Sequence, residues 1–214
     1  MSDLTGDEEG SRAAKIALRS QLITARRALT ASDRSLAASQ LQGHILDFVR
    51  REHPSTIAAY VPIGPEPGGA DLPSVLAAHA RVLLPVLLPD GDLDWAVFSG
   101  SLSSGFSGSL SSGPRGLLEP DGPRLGTGAP ASADLVLVPA LAVDRSGIRM
   151  GRGGGSYDRA LARLPQRRPP LVLALLHDGE LLDSVPAEPH DRAVHGVITP
   201  RGGLTLNRAA EWTK

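Results

Sequence analysis

The chain has 214 residues, 41% of them hydrophobic and 21% charged, with a formal net charge of −1; this is the composition of an ordinary soluble globular protein of one domain. It contains no cysteine, which excludes disulfides, thiolate nucleophiles, iron–sulfur clusters and zinc sites built on Cys. The near-neutral charge argues against a general polyanion binder, and two Trp, two Tyr and three Phe are too few for a base-stacking platform, so no nucleic-acid partner is expected.

Residues 1–10 carry four acids and no base; they read as a disordered acidic leader, not a signal peptide. No run approaches the roughly 18 apolar residues of a membrane span, so no membrane association and a cytoplasmic location are expected. Residues 11–214 read as one domain. Ser11–Leu29 has the period of a helix, with Leu18, Leu22, Ala25 and Leu29 in one stripe and Lys15, Arg19 and Arg26 beside it. A second helix starts at Ala31, capped near Ser32, with Leu36, Leu41, Ile45, Leu46 and Val49 inward, and Pro54 ends it.

The pattern then becomes α/β. Strands are expected over Thr56–Val61, Arg81–Leu88, Leu93–Phe98, Asp134–Val138, Pro170–Leu176 and Val197–Thr199, and helices over Leu72–His79 and Tyr157–Leu164. Their alternation predicts a mostly parallel sheet with helices on both faces and an N-terminal helical pair. Phe98–Gly105 reads FSGSLSSG and Phe106–Gly113 repeats it residue for residue. A Gly/Ser tract buries too little surface to order itself, so 98–113 is read as a flexible loop.

The densest chemistry is Asp144–Asp158, DRSGIRMGRGGGSYD. Glycine backbone can approach a phosphate closely, and the helix that follows adds oriented N–H donors. Arg149 and Arg152 supply counter-charge. The spacing is neither the Walker pattern nor the dinucleotide fingerprint. Taken alone, the loop fits an anion site and a plain flexible turn equally, and Asp158 fits a magnesium ligand or a helix N-cap.

Read in register, this stretch resembles the signature of the 5-formyltetrahydrofolate cyclo-ligase family. Pro139, Asp144, Gly147, Arg149, Gly151, Gly153, Gly155, Tyr157 and Asp158 all fall on that pattern. Lys15-Ile16-Ala17-Leu18-Arg19 resembles the family's N-terminal Lys-x-x-x-Arg helix, and Tyr60–Glu66 its substrate loop. Gly116–Pro120 is similar to its Gly-Ile-x-Glu-Pro segment, and His190-Asp191 before Val197-Ile198-Thr199 to its C-terminal motif. Ser156 stands where the family usually has the first Tyr of Tyr-Tyr-Asp, Val143 at a usual Phe, and Gly154 at a position often larger.

The resemblance implies ATP- and magnesium-dependent closure of 5-formyltetrahydrofolate to 5,10-methenyltetrahydrofolate by a monomer, on folates with or without a polyglutamate tail. It also implies a fold like that of the sugar-phosphate isomerase/CoA-transferase-like group. On this pattern Lys15, Arg19, Arg149, Gly151, Arg152, Gly153, Gly154, Gly155, Ser156 and Tyr157 bind ATP. Val61, Glu66, Arg152, Gly155 and Ser156 contact the folate. Asp158 and Asp191 hold Mg2+, and Arg152 and Asp158 are the catalytic candidates. Glu66 suits the donor-rich edge of a pterin. Two rival readings stay open: a paralogue that binds nucleotide or folate without turnover, and a sugar-phosphate isomerase or CoA-transferase-like enzyme needing no ATP. His177, His190 and His195 fit no zinc spacing. Asp178 and Glu180 read as a helix start, and Trp95 and Trp212 as packing anchors.

Overall fold

A computed structural model describes residues 4–100, 110–187 and 192–207. Helix α1 (Leu4–Ala28) begins within the acidic stretch, and α2 (Ala31–Glu52) follows after a two-residue break. The cap of α2 is Thr30, not Ser32. Its hydroxyl accepts from the Asp33 N–H while the Asp33 carboxylate accepts from the Thr30 N–H, the reciprocal capping box that an acid three residues after a Thr makes available. His53, in the left-handed region at φ 52°, closes the helix by donating to the Val49 carbonyl.

The strands are β1 (Thr56–Ala58), β2 (Arg81–Leu87), β3 (Leu93–Val97), β4 (Leu110–Ser112), β5 (Leu118–Pro120), β6 (Leu135–Pro139), β7 (Ala142–Asp144), β8 (Arg149–Met150), β9 (Leu171–Leu175), β10 (Leu181–Leu182), β11 (Gly196–Thr199) and β12 (Gly203–Leu206). Helices α3 (Leu72–Ala77) and α4 (Ser156–Ala162) complete the fold. The main sheet has seven strands in the order β12-β11-β9-β6-β1-β2-β3. From β11 to β2 the neighbours run parallel, and β12 and β3 add an antiparallel strand at each edge. Pro85 sits in β2 beyond Leu83, the last residue paired to β1, so its missing N–H interrupts no parallel ladder.

Both faces of the sheet are covered, which is why its strands are nearly continuous apolar runs. Leu135, Leu137, Leu171, Leu173 and Leu175 pack with Leu41, Ile45, Phe48 and Val49 of α2 and with Leu72 and Leu76 of α3. The alternate residues Val136, Val138, Val172 and Ala174 point the other way, onto Ala160 and Leu161 of α4.

Helix α1 lies elsewhere. Leu22, with Leu18 and Ile23, packs on Leu141, Ala142, Met150 and Val185, a small core around the three-stranded sheet β10-β7-β8. Its buried face corrects the expected stripe. Arg26 and Lys15 are buried with Leu22, whereas Ala25 is exposed. On α2, Leu36 is exposed rather than inward. Part of the Ser/Gly repeat is also ordered: Phe98 is in the core, and Leu110–Ser112 pairs with Leu118–Pro120. The pairing is possible because β5 supplies partners that the repeat itself lacks.

Candidate active site

The strand order reverses between β1 and β6: from β1 the chain moves outward to β2 and β3, then returns to place β6 on the other side of β1. In an open parallel sheet, the loops leaving the carboxyl ends of two such strands diverge and leave a crevice between them. Here the loop after β1 carries Val61 and Glu66, and the segment after β6 leads through β7 and β8 into the glycine loop 151–155 and α4. The loop that carries Val61 and Glu66 and the segment that carries Arg149, the glycine loop and α4 therefore follow the carboxyl ends of two adjacent strands.

Arg149 organises the base of the glycine loop. It is almost fully buried, its guanidinium pairs with the Asp158 carboxylate, and its Nη1 donates to the Pro139 carbonyl at the end of β6 (3.1 Å). Its Nε has no hydrogen-bond partner among the described residues. The Tyr157 ring lies 5.9 Å from the guanidinium carbon, within cation–π range. Arg19 reaches across from α1 and donates to the Gly151 carbonyl (3.1 Å), with Lys15, also buried, one turn before it. Gly153 (φ 97°) and Gly155 (φ 68°) adopt backbone conformations that side-chain-bearing residues rarely take. A Cβ on Gly151 would come within 2.8 Å of Arg149 Nη1. The loop thus lies between two guanidinium groups, those of Arg19 and Arg149.

Asp158 is the third residue of α4, whose N-cap is Gly155 without a side-chain cap bond; the N-cap alternative for Asp158 is excluded. Ser156 donates from its hydroxyl to the Gly91 carbonyl (2.5 Å), and Arg159 donates to the same oxygen. The serine at the family's tyrosine position therefore ties α4 to the β2–β3 turn. Arg163 and Arg159 also engage Asp92 in that turn. Burial opposes ionisation of Asp92, but the hydrogen bonds from Arg163 and the Leu93 N–H and the charges of Arg163 and Arg159 together outweigh it and hold the carboxyl below its usual range. Val143 is fully buried in the core beneath α4, which accounts for a small apolar residue there.

On the opposite side, Glu66 accepts from the Ile63 N–H (3.0 Å) and meets the exposed Arg152 at 3.3 Å. Val61 is buried beside it in sequence. Tyr157 joins the two sides. Burial first, then the Glu66 carboxylate, raise its phenol well above the ordinary value, with Arg149 opposing. Burial and then Glu66 likewise raise Tyr60. Both phenols stay protonated, as donors, through the physiological range.

Asp191 and His190 lie outside the described residues. Among the described residues no three His, Asp or Glu side chains gather as a metal site. A hard divalent cation takes its remaining oxygens readily from a polyphosphate and water, so the Asp158 carboxylate, paired with Arg149, would fit an ion that a bound nucleotide brings with it. Among the described residues no helix is long and apolar enough to cross a membrane.

Three residues that the sequence reading passed over are built into the same region. Glu180 is no helix start: it is buried and forms a two-pronged ion pair with Arg26 of α1 (2.6 and 2.7 Å), and Arg26 also donates to the Ala140 carbonyl. His177 donates its N–H to Glu180 Oε2 (2.7 Å), and its Nε2 lies 2.9 Å from the Pro65 carbonyl. The available signal was Arg26 itself, four residues after the buried Leu22 and seven after Arg19, hence on the inward face.

Comparison with known proteins gives a consistent picture. Residues 11–200 match the model of the 5-formyltetrahydrofolate cyclo-ligase family. A 5-formyltetrahydrofolate cyclo-ligase of Mycolicibacterium smegmatis is 40% identical over 201 residues, covering 91% of this chain and 97% of that protein. The Escherichia coli K12 cyclo-ligase is 36% identical over a shorter stretch of 67 residues, 31% of this chain and 36% of its own. Among solved structures, the Aquifex aeolicus 5,10-methenyltetrahydrofolate synthetase superposes with a TM-score of 0.75 at 22% identity, covering 94% of this chain and 96% of that one. A Mycoplasma pneumoniae 5,10-methenyltetrahydrofolate synthetase gives 0.65 at 22%, covering 86% and 96%. These two likenesses speak to the fold.

Proposed function

The chain belongs to the 5-formyltetrahydrofolate cyclo-ligase family, and from that premise we propose how its residues divide the work. The activity is ATP-dependent cyclisation of 5-formyltetrahydrofolate to 5,10-methenyltetrahydrofolate with release of ADP and phosphate. A formyl oxygen on nitrogen is a poor leaving group, so it is first phosphorylated: the oxygen bonds to the γ-phosphorus as the bond to the ADP oxygen breaks. The neighbouring N10 amine then attacks the formyl carbon and loses its proton, and inorganic phosphate departs as the ring closes. Such chemistry asks for positioning and charge neutralisation and needs no activated protein nucleophile.

The observation that carries the assignment is the approach of the glycine loop, closed by the Arg149–Asp158 pair, to the Glu66 loop, where Arg152 meets Glu66 at 3.3 Å. Lys15, Arg19 and Arg149, with the backbone of 151–155, bind the phosphates of ATP; Ser156 and Tyr157 extend that contact at the start of α4. Glu66 accepts hydrogen bonds from the pterin edge and Val61 packs on the ring, with Gly155 and Ser156 at its margin. Arg152, exposed and tethered only by Glu66 among the described residues, neutralises charge on the transferring phosphoryl group. Asp158 would hold Mg2+, with Asp191 assigned beside it on the family pattern, and the ion would supply charge neutralisation for the phosphates. The parallel sheet and its crevice support kinship with the sugar-phosphate isomerase/CoA-transferase-like group. We further read the protein as a cytoplasmic monomer acting on folates whether or not they carry a polyglutamate tail.

The test separates the two sides. Lys15→Ala should raise KM for ATP more than KM for 5-formyltetrahydrofolate, and Glu66→Ala the reverse. The opposite ordering in either variant overturns that residue's assignment.

A further inference from the structure

Glu66 stands between two prolines, Pro65 and Pro67. Neither has an N–H to anchor the loop; Glu66 ties back to Ile63 through its own N–H (3.1 Å) and its carboxylate (3.0 Å), and the two proline carbonyls offer further ties. Both carbonyls are held. Tyr60 donates its hydroxyl to Pro67 O at 2.6 Å, and His177 Nε2 lies 2.9 Å from Pro65 O. A carbonyl can only accept, so Nε2 carries the proton. His177 is itself fixed from below: its N–H donates to Glu180 Oε2, and Glu180 is gripped by both prongs of Arg26. Tyr60, Arg26, His177 and Glu180 are buried, and Pro65 is half-buried. A chain of hydrogen bonds thus runs from α1 through the turn after β9 to the residue before Glu66.

We propose that His177 is a positioning residue for folate binding: its imidazole, carried on backbone that the Arg26–Glu180 pair holds through the His177 backbone N–H, and the Tyr60 hydroxyl clamp the two neighbours of Glu66 and fix its carboxylate toward the pterin. The inference rests on the assignment of Glu66 to the pterin edge. Truncating one clamp lets the loop drift by a fraction of an ångström, which weakens folate binding and leaves ATP, bound on the other side of the crevice, untouched.

The experiment is steady-state kinetics with 5-formyltetrahydrofolate and ATP varied separately. His177→Phe keeps a ring but removes the donor, and should raise KM for the folate about tenfold, the scale of one lost hydrogen bond at a buried site, with KM for ATP within about twofold. His177→Gln places an amide N–H near the same point and should recover most of the loss. In a Glu66→Ala background, His177→Phe should add nothing further. Should His177→Phe fail to fold, Tyr60→Phe, which deletes only a hydroxyl, reads the companion clamp and should give the same one-sided rise. An unchanged folate KM in a folded His177→Phe, an equal rise in both KM values, or a full effect persisting without Glu66 overturns the positioning role. A folate KM unchanged in Glu66→Ala overturns the Glu66 assignment itself and the positioning role with it.

Discussion

Arg149 in β8 and Asp158 in the first turn of α4 form an ion pair that closes the glycine loop between them into a ring. The arginine is buried and its second prong holds Pro139 at the end of β6, so the pair sets the position of the loop relative to the sheet. It makes Asp158 the counter-ion of Arg149, and the proposed metal-ligand role would add a second task to the same carboxylate.

Asp158→Asn keeps the shape but removes the charge. Leaving a buried guanidinium without its counter-ion costs about 3–5 kcal/mol when both groups are fully enclosed; the 19% exposure of the Asp158 side chain reduces the expected loss to about 1–3 kcal/mol. Urea denaturation should show that loss with folding still cooperative, and turnover should fall by more than about a hundredfold. Near-normal turnover would remove Asp158 from the reaction.

Gly151→Ala tests the cradle from its backbone side. The added methyl would crowd Arg149 Nη1 at 2.8 Å and push the guanidinium off Pro139 or Asp158. KM for ATP should rise about tenfold, with the folate KM little changed. Wild-type kinetics would show that Arg149 can move without consequence.

The Arg26–Glu180 pair is buried on both sides. Glu180→Gln should destabilise the fold by about 3–5 kcal/mol, because a buried cation loses its partner, and the double variant Arg26→Met with Glu180→Leu should regain much of it. Equal losses in the single and the double variant, read from urea midpoints, would contradict this account.

His195 accepts the Val172 N–H on Nδ1 (2.9 Å), and burial lowers its pKa below 6.5. Its neutral form is therefore the folded form. As pH falls below 6.5 the unfolded chain takes up a proton that the folded one refuses, so stability declines until the pH passes the folded-state value, and above 6.5 the group contributes no slope. His195→Asn, which retains an acceptor but does not titrate, should show a shallower acid-side decline in thermal denaturation. Parallel curves for the two proteins would contradict the sign.

Much of the fold was legible because buried parallel strands such as Leu135–Pro139 and Leu171–Leu175 are continuous apolar runs, a signal that needs no tertiary information. The short strands β7, β8 and β10 were not. They have two or three residues each, and their pairing is fixed by contacts with α1 and by Asp144, whose carboxylate gathers the N–H groups of Ser146, Ile148 and Val185. The glycine loop was readable from spacing, but its rigidity was not, since Arg19 lies 132 residues from Gly151. Arg26, His177 and Glu180 escaped notice for the same reason. A charged residue on an amphipathic helix is ordinarily solvated, and only the fold reveals that Arg26 and Glu180 face each other. The role of Ser156 was not legible either, because its hydroxyl engages Gly91 of the β2–β3 turn, 65 residues away.

The most direct measurement is an absorbance assay for methenyl-folate formation by the purified protein with 5-formyltetrahydrofolate, ATP and Mg2+, omitting each in turn. The account predicts product only when folate and ATP are both present, with stoichiometric ADP, and loss of turnover when the divalent cation is chelated. Product formed without ATP, or none with every component present, would contradict it.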